Sequence, residues 1–65
     1  MQIQLNGENT QVVATNLTDL VAELGLEQRM IAIERNMEVV PKSEYTATQL
    51  EENDRIELVH MIGGG

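Results

Sequence analysis

The chain ends Ile62-Gly63-Gly64-Gly65, and this stretch is where its types and spacing point to chemistry. Glycine lacks a Cβ, so three in a row neither pack a core nor hold a fixed φ/ψ. What they provide is a thin, flexible thread carrying a terminal carboxylate. Such a thread fits a tunnel too narrow for other residues, and its carbonyl carbon is open to attack from either side. A carboxylate is a poor electrophile, so the expected chemistry is activation by a partner, then capture of sulfur or an amine. Gly65 is the expected reacting residue, with Gly63 and Gly64 as the thread. Met61 and Ile62, apolar residues leading into it, are the expected docking anchor.

Other chemistry finds little support in the residue types. The chain has no Cys, one His and one Tyr, with Ser43 and scattered Thr as its hydroxyls. A nucleophile needs a base within hydrogen-bond reach, and none is implied by spacing, so no side chain is expected to be catalytic. His60 reads as a rim residue of a strand. No His/Cys spacing suits a metal, so no metal site is expected. The only glycine run is terminal, not a loop between strand and helix, so no phosphate cradle and no bound cofactor are expected. Glu51-Glu52 and Asp54 read as a solvated turn.

Composition narrows the partners. Eleven acidic residues against four basic ones give a net charge of −7, which repels nucleic-acid backbones and anionic membranes. The same charge suits a basic protein partner. Met1 to Asn6 carries neither a basic nor an apolar leader segment, and no apolar run approaches membrane length. The expectation is a cytoplasmic protein. Sixty-five residues suffice for one small domain, here held together without disulfides.

The elements that must position the tail follow from periodicity. Met1, Ile3 and Leu5 alternate with Gln2 and Gln4 as in a strand with one buried face. Asn6-Gly7 is the pair favoured in a two-residue type I′ hairpin, which makes Glu8 through Val13 the returning strand, with Thr10 and Val12 inward. Asn16 is an expected N-cap, with Asp19 in the first turn. Leu17, Leu20, Val21 and Leu24 share one helical face, and Gly25 is the expected C′ terminator. Met30-Ile31-Ala32-Ile33 reads as an interior strand, broken by a polar turn from Glu34 to Glu38. Val39-Val40 reads as a short edge strand ended by Pro41. Residues 42–49 read as a turn or 3₁₀ segment, with Tyr45 and Leu50 closing the core. Arg55 to Met61 is the final strand, with Ile56 and Leu58 inward.

The order β-β-α-β-β(short)-β predicts an α+β fold of the β-grasp type, a mixed sheet of four to five strands packed on one helix. In that arrangement the last strand lies beside the first and parallel to it. The expected division is a domain over 1–62 and a flexible tail over 63–65.

These residues together resemble the ThiS family, the ubiquitin-like sulfur carrier proteins of bacterial thiamin biosynthesis. The resemblance spans the chain. It rests on Met1–Leu5 with Asn6-Gly7, on the Leu17–Leu24 helix, on the segment from Ile31 through Asn36 to Val40-Pro41-Lys42, and on Ile56-Glu57-Leu58-Val59 joined to the terminal glycines. It implies a carrier with no activity of its own. A ThiF-like adenylyltransferase would use ATP to convert the Gly65 carboxylate to an acyl-adenylate. Sulfur from cysteine, supplied through a desulfurase, would displace AMP and leave a thiocarboxylate. A ThiG-like thiazole synthase would then take that sulfur. The alternatives are the small subunit of molybdopterin synthase, which uses the same thiocarboxylate chemistry, and a ubiquitin-like modifier conjugated to lysines.

Overall fold

The computed structural model describes residues 1–61 of the chain. Five strands and one α-helix form it: β1 (Gln2–Leu5), β2 (Glu8–Gln11), α1 (Leu17–Glu23), β3 (Ile31–Arg35), β4 (Glu38–Val40) and β5 (Arg55–His60). A 3₁₀ turn, η1, spans Lys42–Glu44. The sheet order is β2-β1-β5-β3-β4. β5 runs parallel to β1 and antiparallel to β3, so the strand leading to the tail is the centre of the sheet.

Local chemistry explains each boundary. Asn6 and Gly7 have φ of 49° and 84°, the two positive angles a type I′ turn demands. Asn6 also serves beyond its turn: its Oδ1 accepts the Leu58 N–H at 2.8 Å, continuing the β1–β5 contact where β1 has ended. Asn16 caps the helix by accepting the Asp19 N–H at 2.7 Å, an interaction worth about 1 kcal/mol. At the other end the Gly25 N–H donates to Ala22 and the Leu26 N–H to Val21, with Gly25 at φ 72°. This is a Schellman terminator, and it turns the chain sharply back toward β3.

The helical stripe packs as its spacing predicts. Leu17 and Leu20 are fully buried, with Ile3, Ile33 and Ile56 from three adjacent strands beneath them. Each such side chain stabilises the fold by about 1.5–3 kcal/mol. Tyr45 and Leu50 complete the core, and the Tyr45 carbonyl accepts the Leu17 N–H at 3.1 Å. Glu23, in the last turn of α1, accepts the backbone N–H groups of Val13 and Ala14, so the helix holds the loop that feeds it.

Several boundaries differ from the sequence expectation: β5 ends at His60, one residue short of Met61, and β4 begins at Glu38, one residue ahead of Val39. The returning strand stops at Gln11, and Val12 is buried just beyond it, bonded through its backbone to Met1. Met30 lies outside β3 and is 61% exposed. β3 instead continues through Glu34 and Arg35, and the turn is only Asn36-Met37, at φ 51° and 74°. Polarity suggested an early break there. The strand persists because Glu34 and Arg35 are paired on both sides, with β4 and with β5.

Candidate functional site

The site begins where β5 ends. Register pairs Ile31 with His60 at the last rung of β3 and β5. One residue further, the Met61 N–H donates to the Met30 carbonyl at 2.9 Å. The chain is therefore held by its backbone up to the residue before Ile62. Ile62, Gly63, Gly64 and Gly65, the expected anchor, thread and reacting group, lie outside the described residues.

Met61 is half exposed and forms part of the rim of an apolar groove of about 330 Å³. Val21, Leu26, Ile31 and Tyr45 line it, with Met30 beside Met61. The groove exists because the Schellman turn lifts the chain off the helix end, leaving a gap between α1, η1 and the start of β3. Burial pushes the Tyr45 hydroxyl above its ordinary pKa. Arg29 and Lys42 bring two positive charges to this lining, against the single carboxylate of Glu27. Sequence reasoning found Met61 but not the groove, because its walls come from four separated segments.

Asp54 overturns the reading of residues 51–54 as a solvated turn. It is only 6% exposed and accepts from Arg35 Nε at 2.8 Å, from Asn36 Nδ2 at 3.1 Å and from the Glu51 N–H at 2.9 Å. Burial alone pushes a carboxyl pKa up. Here the hydrogen bonds from Glu51, Arg35 and Asn36, together with the Arg35 charge, overcome that effect and hold Asp54 below its ordinary value. Its backbone carbonyl accepts the Gln4 N–H at 2.9 Å, just before β5 begins beside β1. Glu51 and Glu52 are exposed as expected, though Glu52 accepts the Gln2 N–H at 2.9 Å and Glu51 pairs with Arg35 at 3.7 Å. His60 is exposed at the end of β5, and no cluster of metal-ligating side chains occurs among the described residues.

A five-stranded mixed sheet with its last strand at the centre, parallel to the first and packed on one helix, is the β-grasp arrangement. Comparison with known proteins gives the same class. The model of the ThiS family matches residues 3–65. The sulfur carrier protein ThiS of Bacillus subtilis is 38% identical over 65 residues, covering 97% of this chain and 98% of that protein. A crystal structure of the thiamine biosynthesis protein ThiS from Geobacter metallireducens superposes with a TM-score of 0.86 at 29% identity, covering all of both chains. The thiazole synthase of Paramagnetospirillum magneticum is 41% identical over 66 residues, covering 100% of this chain. There the chain spans about a fifth of the relative's length (20%).

The chain belongs to the ThiS family, the small β-grasp sulfur carriers of thiamine biosynthesis. The family model and the Bacillus subtilis relative, matched over nearly its whole length, carry that membership.

Proposed function

We propose that this chain carries sulfur as a thiocarboxylate on Gly65 and delivers it to a thiazole synthase. A ThiF-like adenylyltransferase activates it: the Gly65 carboxylate attacks the α-phosphate of ATP and expels pyrophosphate. The carboxylate thereby gains a good leaving group. The terminal sulfur of a persulfide, formed from cysteine by a desulfurase, then attacks the acyl carbonyl and expels AMP. A second thiol reduces the resulting acyl disulfide, leaving the thiocarboxylate and a mixed disulfide on the donor. No cofactor resides on the carrier, since ATP binds the activating partner. The chain has no Cys, so no internal thiol competes for the activated carbonyl. The need for ATP and a cysteine-derived donor supports a cytoplasmic location.

The observation that carries this reading is the position of β5. It is paired on both sides and tied through Met61 to Met30, directly ahead of Ile62 and the three glycines. A reactive end must be held by a rigid body to be aimed, and a central strand is the firmest mount this sheet has. The thiazole synthase relative, part of which matches this whole chain, supports that enzyme as the recipient. Appending one residue after Gly65 tests the reading. ATP–pyrophosphate exchange with the adenylyltransferase is expected to vanish while the circular dichroism spectrum is unchanged. Normal exchange by the extended chain would remove the proposal.

A further inference from the structure

We infer that the groove at the root of the tail is the docking site for the thiazole synthase, and that it receives an apolar side chain flanked by carboxylates. The inference deepens the functional reading above and rests on it. Its first ground is shape. Val21 and Tyr45 form a buried floor, while Met30 and Met61 stand on the rim 61% and 49% exposed. Methionine is unbranched and adaptable, and it is enriched in the cores of protein interfaces. Two of the chain's four methionines meet at this one place, joined through their backbones.

The second ground is charge. Of the four basic residues, Arg35 pairs with Asp54 and Glu51, and Arg55 pairs with Glu57. Arg29 and Lys42 form no ion pair among the described residues, and both line the groove. A body of net charge −7 thus gathers its two uncommitted cations beside the tail. The matching occupant is acidic around an apolar tip. A basic partner, suited to the acidic remainder of the body, finds no complement here.

The third ground is position. The four residues from Ile62 to Gly65 span at most about 14 Å when extended. A side chain seated against Met61 fixes the point from which the tail departs, so the occupant lies within that reach of the Gly65 carbonyl. The recipient of the sulfur, which must draw the tail inward, gains most from such a fix.

The test uses the full chain and the thiazole synthase of the same organism. Binding is measured by calorimetry and adenylation by ATP–pyrophosphate exchange. The variants are the R29E/K42E pair, the exposed-rim variant Met30→Asp, and the conservative R29K/K42R pair, with thermal melts to verify folding. Charge reversal is expected to weaken synthase binding about tenfold or more, with adenylation unchanged. M30D should do the same, and R29K/K42R should bind as wild type does. Wild-type binding that both disruptive variants retain in full would overturn the inference. So would adenylation falling in parallel with synthase binding, which would give the groove to the activating enzyme. Self-association of the wild type lost in R29E/K42E, with synthase binding intact, would assign the groove to a second copy and overturn it as well. A wild-type chain that fails to bind the synthase at all would sink the functional reading itself, and the groove's role with it.

Discussion

The backbone N–H of Met61 donates to the carbonyl oxygen of Met30 at 2.9 Å, one residue past the last rung between β5 and β3. This bond is the last backbone tie of the chain among the described residues. Beyond it come one apolar residue and three glycines.

If the glycines act as a thread, body and thread should be separable by mutation. The substitution Gly64→Val adds a branched side chain where passage into a partner's active site needs none. Binding of the body is expected to change by less than about threefold, while sulfur transfer falls by about a hundredfold from misplacement at the reacting centre. Single-turnover thiazole formation from the thiocarboxylate form measures this. Equal transfer rates for the wild type and the Gly64→Val variant would show that the tail is not threaded.

Asp54 and Arg35 join the start of β5 to the end of β3. Asp54→Ala leaves the Arg35 guanidinium, 26% exposed, without its nearest partner, and leaves the Glu51 N–H without its acceptor. The expected loss is about 2–4 kcal/mol in urea unfolding. The pH dependence has a definite sign. The folded-state pKa of Asp54 is depressed, so its contribution is present above the ordinary carboxyl value of about 4 and is lost as pH falls through the folded value. Wild type should therefore lose stability more steeply than Asp54→Asn below about pH 4. Parallel curves would remove this assignment.

Met37 holds φ at 74° with its side chain 74% exposed. Left-handed backbone costs a residue with a Cβ about 1–2 kcal/mol, and little burial here offsets it. The other two-residue hairpin uses Asn6-Gly7 where this one has Asn36-Met37. Met37→Gly is expected to raise stability by about 0.5–1 kcal/mol, after the greater freedom of glycine in the unfolded chain is counted. Thermal and urea melts measure it, and a lowered midpoint would contradict the strain.

What was legible in the sequence was what short-range rules govern. Asn6-Gly7, the Asn16 cap, the Leu17-Leu20-Val21 stripe and Gly25 each act within a few residues, and each stands where its spacing put it. The parallel placement of β5 beside β1 followed from element order. Asp54 was misread because its partners Arg35 and Asn36 lie nearly twenty positions back, where only the folded sheet brings them near. The same distance hid the continuation of β3 through Arg35, whose polarity looks like a turn until Asp54 neutralises it. Glu23 gave no local sign that it would hold the Val13 and Ala14 amides. The groove was invisible for the related reason that Val21, Ile31, Lys42 and Met61 are far apart in sequence. Met61 could be found as apolar and adjacent to the glycines, but not as one lip of a cavity.

The most direct test of the central claim is the intact mass of the chain after incubation with the adenylyltransferase, ATP, a cysteine desulfurase and cysteine. Conversion of the carboxylate to a thiocarboxylate exchanges one oxygen for sulfur, a gain of about 16 Da, and fragmentation distinguishes it from sulfoxide at the four methionines. The account predicts that the added mass resides on the fragment ending in Gly65, requires ATP, and disappears on treatment with thiazole synthase and its substrates. Added mass confined to methionine-bearing fragments, or a Gly65 carboxylate left unchanged by the complete system, would contradict it.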